Sequence, residues 1–168
     1  MFIFFMTYDD NTVSNAFEVF EEVKSTGLEN IGFKDVGLPM KDLKELKAMI
    51  DKTGMNSFLE VVSEDRDSSI RSAESALELD VDYLIGGYGQ YAEEIYDIIE
   101  GSGIKFYPYI GEVSGIPGRL RGEVNEIVQE GKEKEQMGVQ GIDLLAYRYD
   151  KNPLKLMEEV ISTLDIPV

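Results

Sequence analysis

Residues 30–62 read NIGFKDVGLPMKDLKELKAMIDKTGMNSFLEVV. An apolar strand core, NIGFK, leads into a polar segment carrying Leu43, Leu46, Met49 and Ile50 as one apolar stripe. Pro39 stands where a first helical turn begins, Gly54 follows the stripe, and SFLEVV (57–62) is a second strand core. The same alternation extends outward to FIFFM (2–6), DYLIGG (82–87), KFYPYI (105–110) and GIDLLAY (141–147). Further helices are expected after Thr12 or Ser14, near 66–79, from Tyr91 to Ile99, from Glu123 to Met137 and from Pro153 to Leu164.

Strand alternating with helix specifies an α/β fold, a parallel sheet with helices packed outside it. Counted from Ile31, the cores recur at Phe58, Leu84, Phe106 and Ile142, the period of a (β/α)8 TIM-type barrel. A full barrel runs to about 250 residues, and this chain of 168 reaches DIPV as a seventh strand begins. The expectation is one domain, 1–168: an incomplete barrel of six βα units and the start of a seventh strand. An open, doubly wound parallel sheet is the alternative, disfavoured because no strand is followed by GxGxxG or a P-loop. The longest irregular stretch, the glycine-rich GEVSGIPGRLRGEV (111–124), is a candidate lid or ligand loop.

A net charge of −17 repels phosphate backbones and anionic lipids, so neither nucleic acid nor membrane is expected as a partner. The six apolar residues at the start are too short for a signal peptide or span, and a cytoplasmic location is the default. With no cysteine and no histidine, disulfides, thiolate chemistry and the Ser-His-Asp triad are excluded. Proton transfer falls to Asp, Glu, Lys or Tyr, with no cofactor implied and a divalent metal left open.

Strand alternation assigns the chemistry. If Ile31 and Phe33 face the helices, Lys34 points into the barrel; likewise Glu60 points inward beside Phe58, and Asp143, Leu145 and Tyr147 do so in the sixth strand. Lys34 ends its strand, at the catalytic end, and with Glu60 forms the candidate reactive pair. Asp143 starts its strand and is expected lower, in a supporting role. Asp35 is expected at the rim, and Gly86 and Gly87 at a close backbone approach or a tight turn. Tyr107, Tyr109 and Tyr147 are candidates for orienting substrate, and Arg148 for gripping a phosphate or carboxylate unless it pairs with Asp150.

The set IGFKDVG, SFLEVVS, DYLIGG and GIDLLAYRY, with DIPV leading toward the next strand, resembles aldolase-type TIM barrels. The nearer likeness is to ribulose-phosphate-binding and keto-deoxy-phosphogluconate-aldolase-like barrels, particularly a bacterial group of small barrel proteins. The resemblance implies lyase or epimerase chemistry by a lysine and carboxylates at strand ends, matched here by Lys34 and Glu60. It also implies a small phosphorylated or carboxylated sugar-like substrate. The family's phosphate grip after strands 7 and 8 has no counterpart in these residues. Competing readings are a non-catalytic ligand-sensing or interaction barrel, and an inactive fragment of a longer one. An unpaired edge at FIFFM predicts a homo-oligomer or a capped edge.

Overall fold

The structure, a computed structural model, describes residues 1–63, 65–115 and 117–168. In chain order the elements are β1 (Phe4–Phe5), β2 (Thr7–Tyr8), β3 (Asn11–Thr12), α1 (Ala16–Val23), β4 (Asn30–Phe33) and α2 (Met40–Asp51). Next come β5 (Asn56–Val61), α3 (Arg66–Leu79), β6 (Tyr83–Gly86), α4 (Ala92–Ile99) and β7 (Lys105–Tyr107). The last are β8 (Glu112–Ser114), β9 (Arg119–Arg121), α5 (Val124–Met137) and α6 (Pro153–Thr163).

The main sheet is wholly parallel in the order β1-β4-β5-β6-β7. Each strand lies beside the next strand of this sheet in chain order, and the order never reverses. A doubly wound sheet requires a reversal, so the open-sheet alternative fails and the winding is that of a (β/α)8 barrel.

Register runs Phe33–Leu59–Leu84–Phe106 along one row and Gly32–Phe58–Tyr83–Lys105 along the next. The first row, with Ile31 and Val61, is fully buried against Phe20, Leu43, Leu46, Ile50, Ala73, Ala76 and Ile95 of the helices. Burying each large apolar side chain contributes about 1.5–3 kcal/mol, so this outer face holds the helices on. The second row belongs to the inner face. There Phe58 stacks on Tyr83 at 4.2 Å, Tyr83 meets Tyr107 edge-on at 5.7 Å, and a Cβ on Gly32 would clash with the Phe5 ring at 2.3 Å.

Three expectations need correction. The first strand shrinks to two residues, because the chain turns at once into the β2–β3 hairpin. Thr12 therefore sits in that hairpin, and α1 begins at Ala16 after Asn15, whose side chain makes no capping bond. The 111–124 stretch is not wholly irregular: β8 and β9 pair antiparallel within it, while Ile116 lies outside the described residues.

The sixth strand is the third correction. It is reduced to a bridge between Tyr109 and Asp143 and a 3-10 turn over Ala146–Arg148. The Asp143 N–H donates to the Pro108 carbonyl at 3.0 Å, but Pro108 has no N–H with which to extend the ladder. Beyond the bridge the backbone turns away, and Tyr147, expected inside, is 97% exposed. The segment after α6 returns to this edge, where Pro167 accepts from the Ile142 N–H at 2.8 Å.

Candidate functional site

Lys34 directly follows β4, at the carboxyl end of the sheet, and Glu60 lies in β5 in the row that would face it. The two side chains meet: Lys34 Nζ is 3.3 Å from Glu60 Oε2. It is closer still, at 2.7 Å, to Asp10 Oδ1. The lysine side chain is 4% exposed, against 22% for Glu60 and 51% for Asp10. A buried ammonium thus lies beneath two carboxylates, one within the barrel and one over its mouth.

Tyr109 completes the group. Its hydroxyl donates to Glu60 Oε1 at 3.1 Å, leaving Glu60 with one oxygen on Tyr109 and the other on Lys34. Burial, with the Asp143 and Glu60 charges beside it, drives the Tyr109 phenol far above its ordinary range, so it stays a donor. Asp143 is brought level with this cluster by its pairing with Tyr109, rather than lying low in the barrel. Burial first, then the Glu60 charge, raises its carboxyl to about 7. Asp143 is therefore able to gain or lose a proton near neutral pH, as acid–base work requires.

Above these groups opens a cavity of about 180 Å³ lined by Asp10, Glu60, Tyr109, Leu145 and Arg148, among others. Arg148 is exposed on its wall, and among the described residues it makes no ion pair with Asp150. A second, largely apolar cavity of about 580 Å³ lies along the open side of the sheet, where Tyr107 and Asp143 meet Ile3, Ile85, Ile142 and Met157. Tyr107 is half-buried, and burial raises its phenol.

The remaining candidates fall outside the mouth. Asp35 turns to the helix side, where Ser72 of α3 donates to its Oδ2 at 2.7 Å; burial raises its carboxyl. Gly86 and Gly87 are buried, with φ of 77° and 80°. A Cβ on Gly86 would stand 2.8 Å from the Val61 carbonyl and 3.2 Å from the Tyr109 ring, and one on Gly87 3.0 Å from Ile95. These glycines admit Tyr109 and α4. Tyr147 points to solvent, away from the cluster.

Asp10 is the residue that strand alternation could not find. Its signal lay in YDDN (8–11), a tight turn between short strands, with Asp9 and Asp10 at φ 45° and 57°. Among the described residues no group of three or more acidic side chains is arranged to hold a metal ion. No helix there is long and apolar enough to cross a membrane.

No protein-family model matches the chain, and no curated protein matches it in sequence. Solved structures do. A native KDPGal structure superposes with a TM-score of 0.59 at 8% identity, covering 98% of this chain and 68% of its own. A xylose isomerase domain protein from Planctomyces limnophilus gives 0.54 at 6% identity, covering 88% and 67%. Both are barrel proteins. The chain has the fold of a (β/α)8 barrel, represented here by part of its circuit. At such identities the likeness speaks for the fold alone.

Proposed function

We propose that this chain carries the reactive centre of an aldolase-type barrel enzyme that moves a proton next to a carbonyl, as a carbon–carbon lyase or an isomerase. The observation that carries the reading is the buried Lys34 ammonium, held between Asp10 and Glu60 at the carboxyl end of a parallel strand. In that position Lys34 stabilises the oxyanion that develops as Glu60 takes the proton from the adjacent carbon. Tyr109 orients Glu60, which gives the proton it has taken back to the neighbouring carbon or to the departing fragment. Arg148 offers a cation to one anionic substrate group, a phosphate or a carboxylate. A cavity of about 180 Å³ suits a small sugar-like compound, since drug-sized ligands occupy ~300 Å³ or more.

The test is exchange of substrate carbon-bound hydrogen with solvent deuterium, followed by NMR over a panel of hydroxy-carbonyl acids and sugar phosphates. Exchange that is lost in Lys34→Met supports the reading. Binding without exchange by the intact chain would make this a ligand-sensing barrel. Borohydride trapping of a substrate adduct on Lys34 would replace the ammonium role with a Schiff base, which requires the neutral amine.

A further inference from the structure

The β2–β3 hairpin is tied to Lys34 at two levels. At the backbone, the Thr12 hydroxyl accepts from the Lys34 N–H at 2.8 Å and donates to the Lys34 carbonyl at 2.8 Å. Thr12 is 2% exposed, and its own N–H donates to the Val36 carbonyl at 2.9 Å, so the clamp is buried. At the side chain, Asp10 meets the ammonium at 2.7 Å.

The turn that delivers Asp10 uses two aspartates in left-handed backbone, a conformation that Asn-Gly meets with less strain. Among the described residues, the Asp9 carbonyl accepts from the Asn11 amide at 2.8 Å and its carboxylate makes no ion pair. The Asp10 carboxylate is the part of the turn that reaches another element. Among the described residues, the charged and titratable groups around the lysine are Asp10 from the hairpin, Glu60 from β5, Tyr109 and Asp143 behind Glu60, and Tyr88 and Arg148 lining the mouth.

We infer that the hairpin is a positioning device for Lys34, with Thr12 fixing the strand end and Asp10 holding the ammonium at the mouth, and that both are positioning residues for the reaction. The benefit to turnover rests on the function proposed above. The hold on Lys34 does not, and it is read separately.

The experiment follows the Lys34 ammonium by proton–nitrogen NMR in the full chain labelled with [15N]lysine, the signal being assigned by its loss in Lys34→Met. An ammonium bonded to carboxylates exchanges its protons slowly. Asp10→Asn should speed that exchange at least about fivefold, as a charge-assisted bond is lost. Asp9→Asn, in the same turn, should leave it unchanged, and Asp10→Glu should restore part of the protection. Equal exchange in Asp10→Asn and the parent would overturn the inference, as would an equal change in Asp9→Asn. Altered exchange in a chain that turns over no carbonyl substrate would refute the proposed reaction while leaving the positioning intact. Where turnover is found, Asp10→Asn should lower kcat about tenfold or more with little change in KM.

Discussion

The inner face of the sheet divides into two halves that use the same strands for opposite purposes. In the lower half, Gly32, Phe58 and Tyr83 share one register row, and Tyr107 adds an edge contact to the stack. Two residues further along each of two strands, Gly32 gives way to Lys34 and Phe58 to Glu60. The lower half is a floor of rings whose interactions are non-directional and tolerant. The upper half is a set of charges and hydrogen bonds in which Lys34, Asp10, Glu60 and Tyr109 hold one another. A step of about 6.6 Å along a strand, two residues, thus separates stability from chemistry.

The comparison breaks most readily at Phe58, which is fully buried. Phe58→Ala should cost about 3–5 kcal/mol in urea denaturation while leaving the Lys34 ammonium signal in place. A loss below about 1 kcal/mol would mean the floor does not hold the barrel. Next comes Lys34→Met, which keeps volume but leaves Glu60 and Asp10 without their cation. Both carboxylates retain some solvent, so the cost should be about 1–3 kcal/mol, less than for Lys34→Ala, with turnover abolished. Tyr109→Phe removes one donor from Glu60 and should cost about 1 kcal/mol in the same assay.

The remaining prediction concerns a slope. Asp143 keeps its proton in the folded chain up to about 7, whereas an unfolded aspartate loses it near 3.8. Between those values the folded state binds more protons, so this group's contribution to stability falls as pH rises. The raised carboxyl of Asp35 adds a slope of the same sign. Asp143→Asn should flatten the upper part of the decline in a series of melts from pH 5 to 7.5, and an unchanged slope would place the Asp143 carboxyl outside the buried cluster.

Much of this was legible in the sequence. Apolar stripes between punctuating glycines and prolines located the helices, α3 included, because those patterns are local. Alternation within NIGFK and SFLEVV set Lys34 and Glu60 on one face, because a pleated strand leaves a side chain no other choice. What could not be read depended on contacts between distant segments. The Asp10–Lys34 pair spans 24 residues and needs a turn whose direction nothing local fixes. The sixth strand carried every local sign of a strand, yet a ladder needs donors on its neighbour, and Pro108 withholds one. Tyr147 was lost with it. Asp35 followed the parity rule for the residue after Lys34, outward to Ser72, although its chemistry had suggested the rim.

The unreversed strand order also bears on how the chain acquires its shape. Paired residues such as Phe4 and Ile31, Ile31 and Ser57, Phe58 and Tyr83, or Tyr83 and Lys105 are 27, 26, 25 and 22 positions apart. No pairing in the main sheet waits for a remote partner, so each βα unit can dock on the one before it as synthesis proceeds. Low contact order of this kind favours rapid folding for a parallel sheet. Lys34 and Asp10 can therefore meet as soon as the first two units have docked.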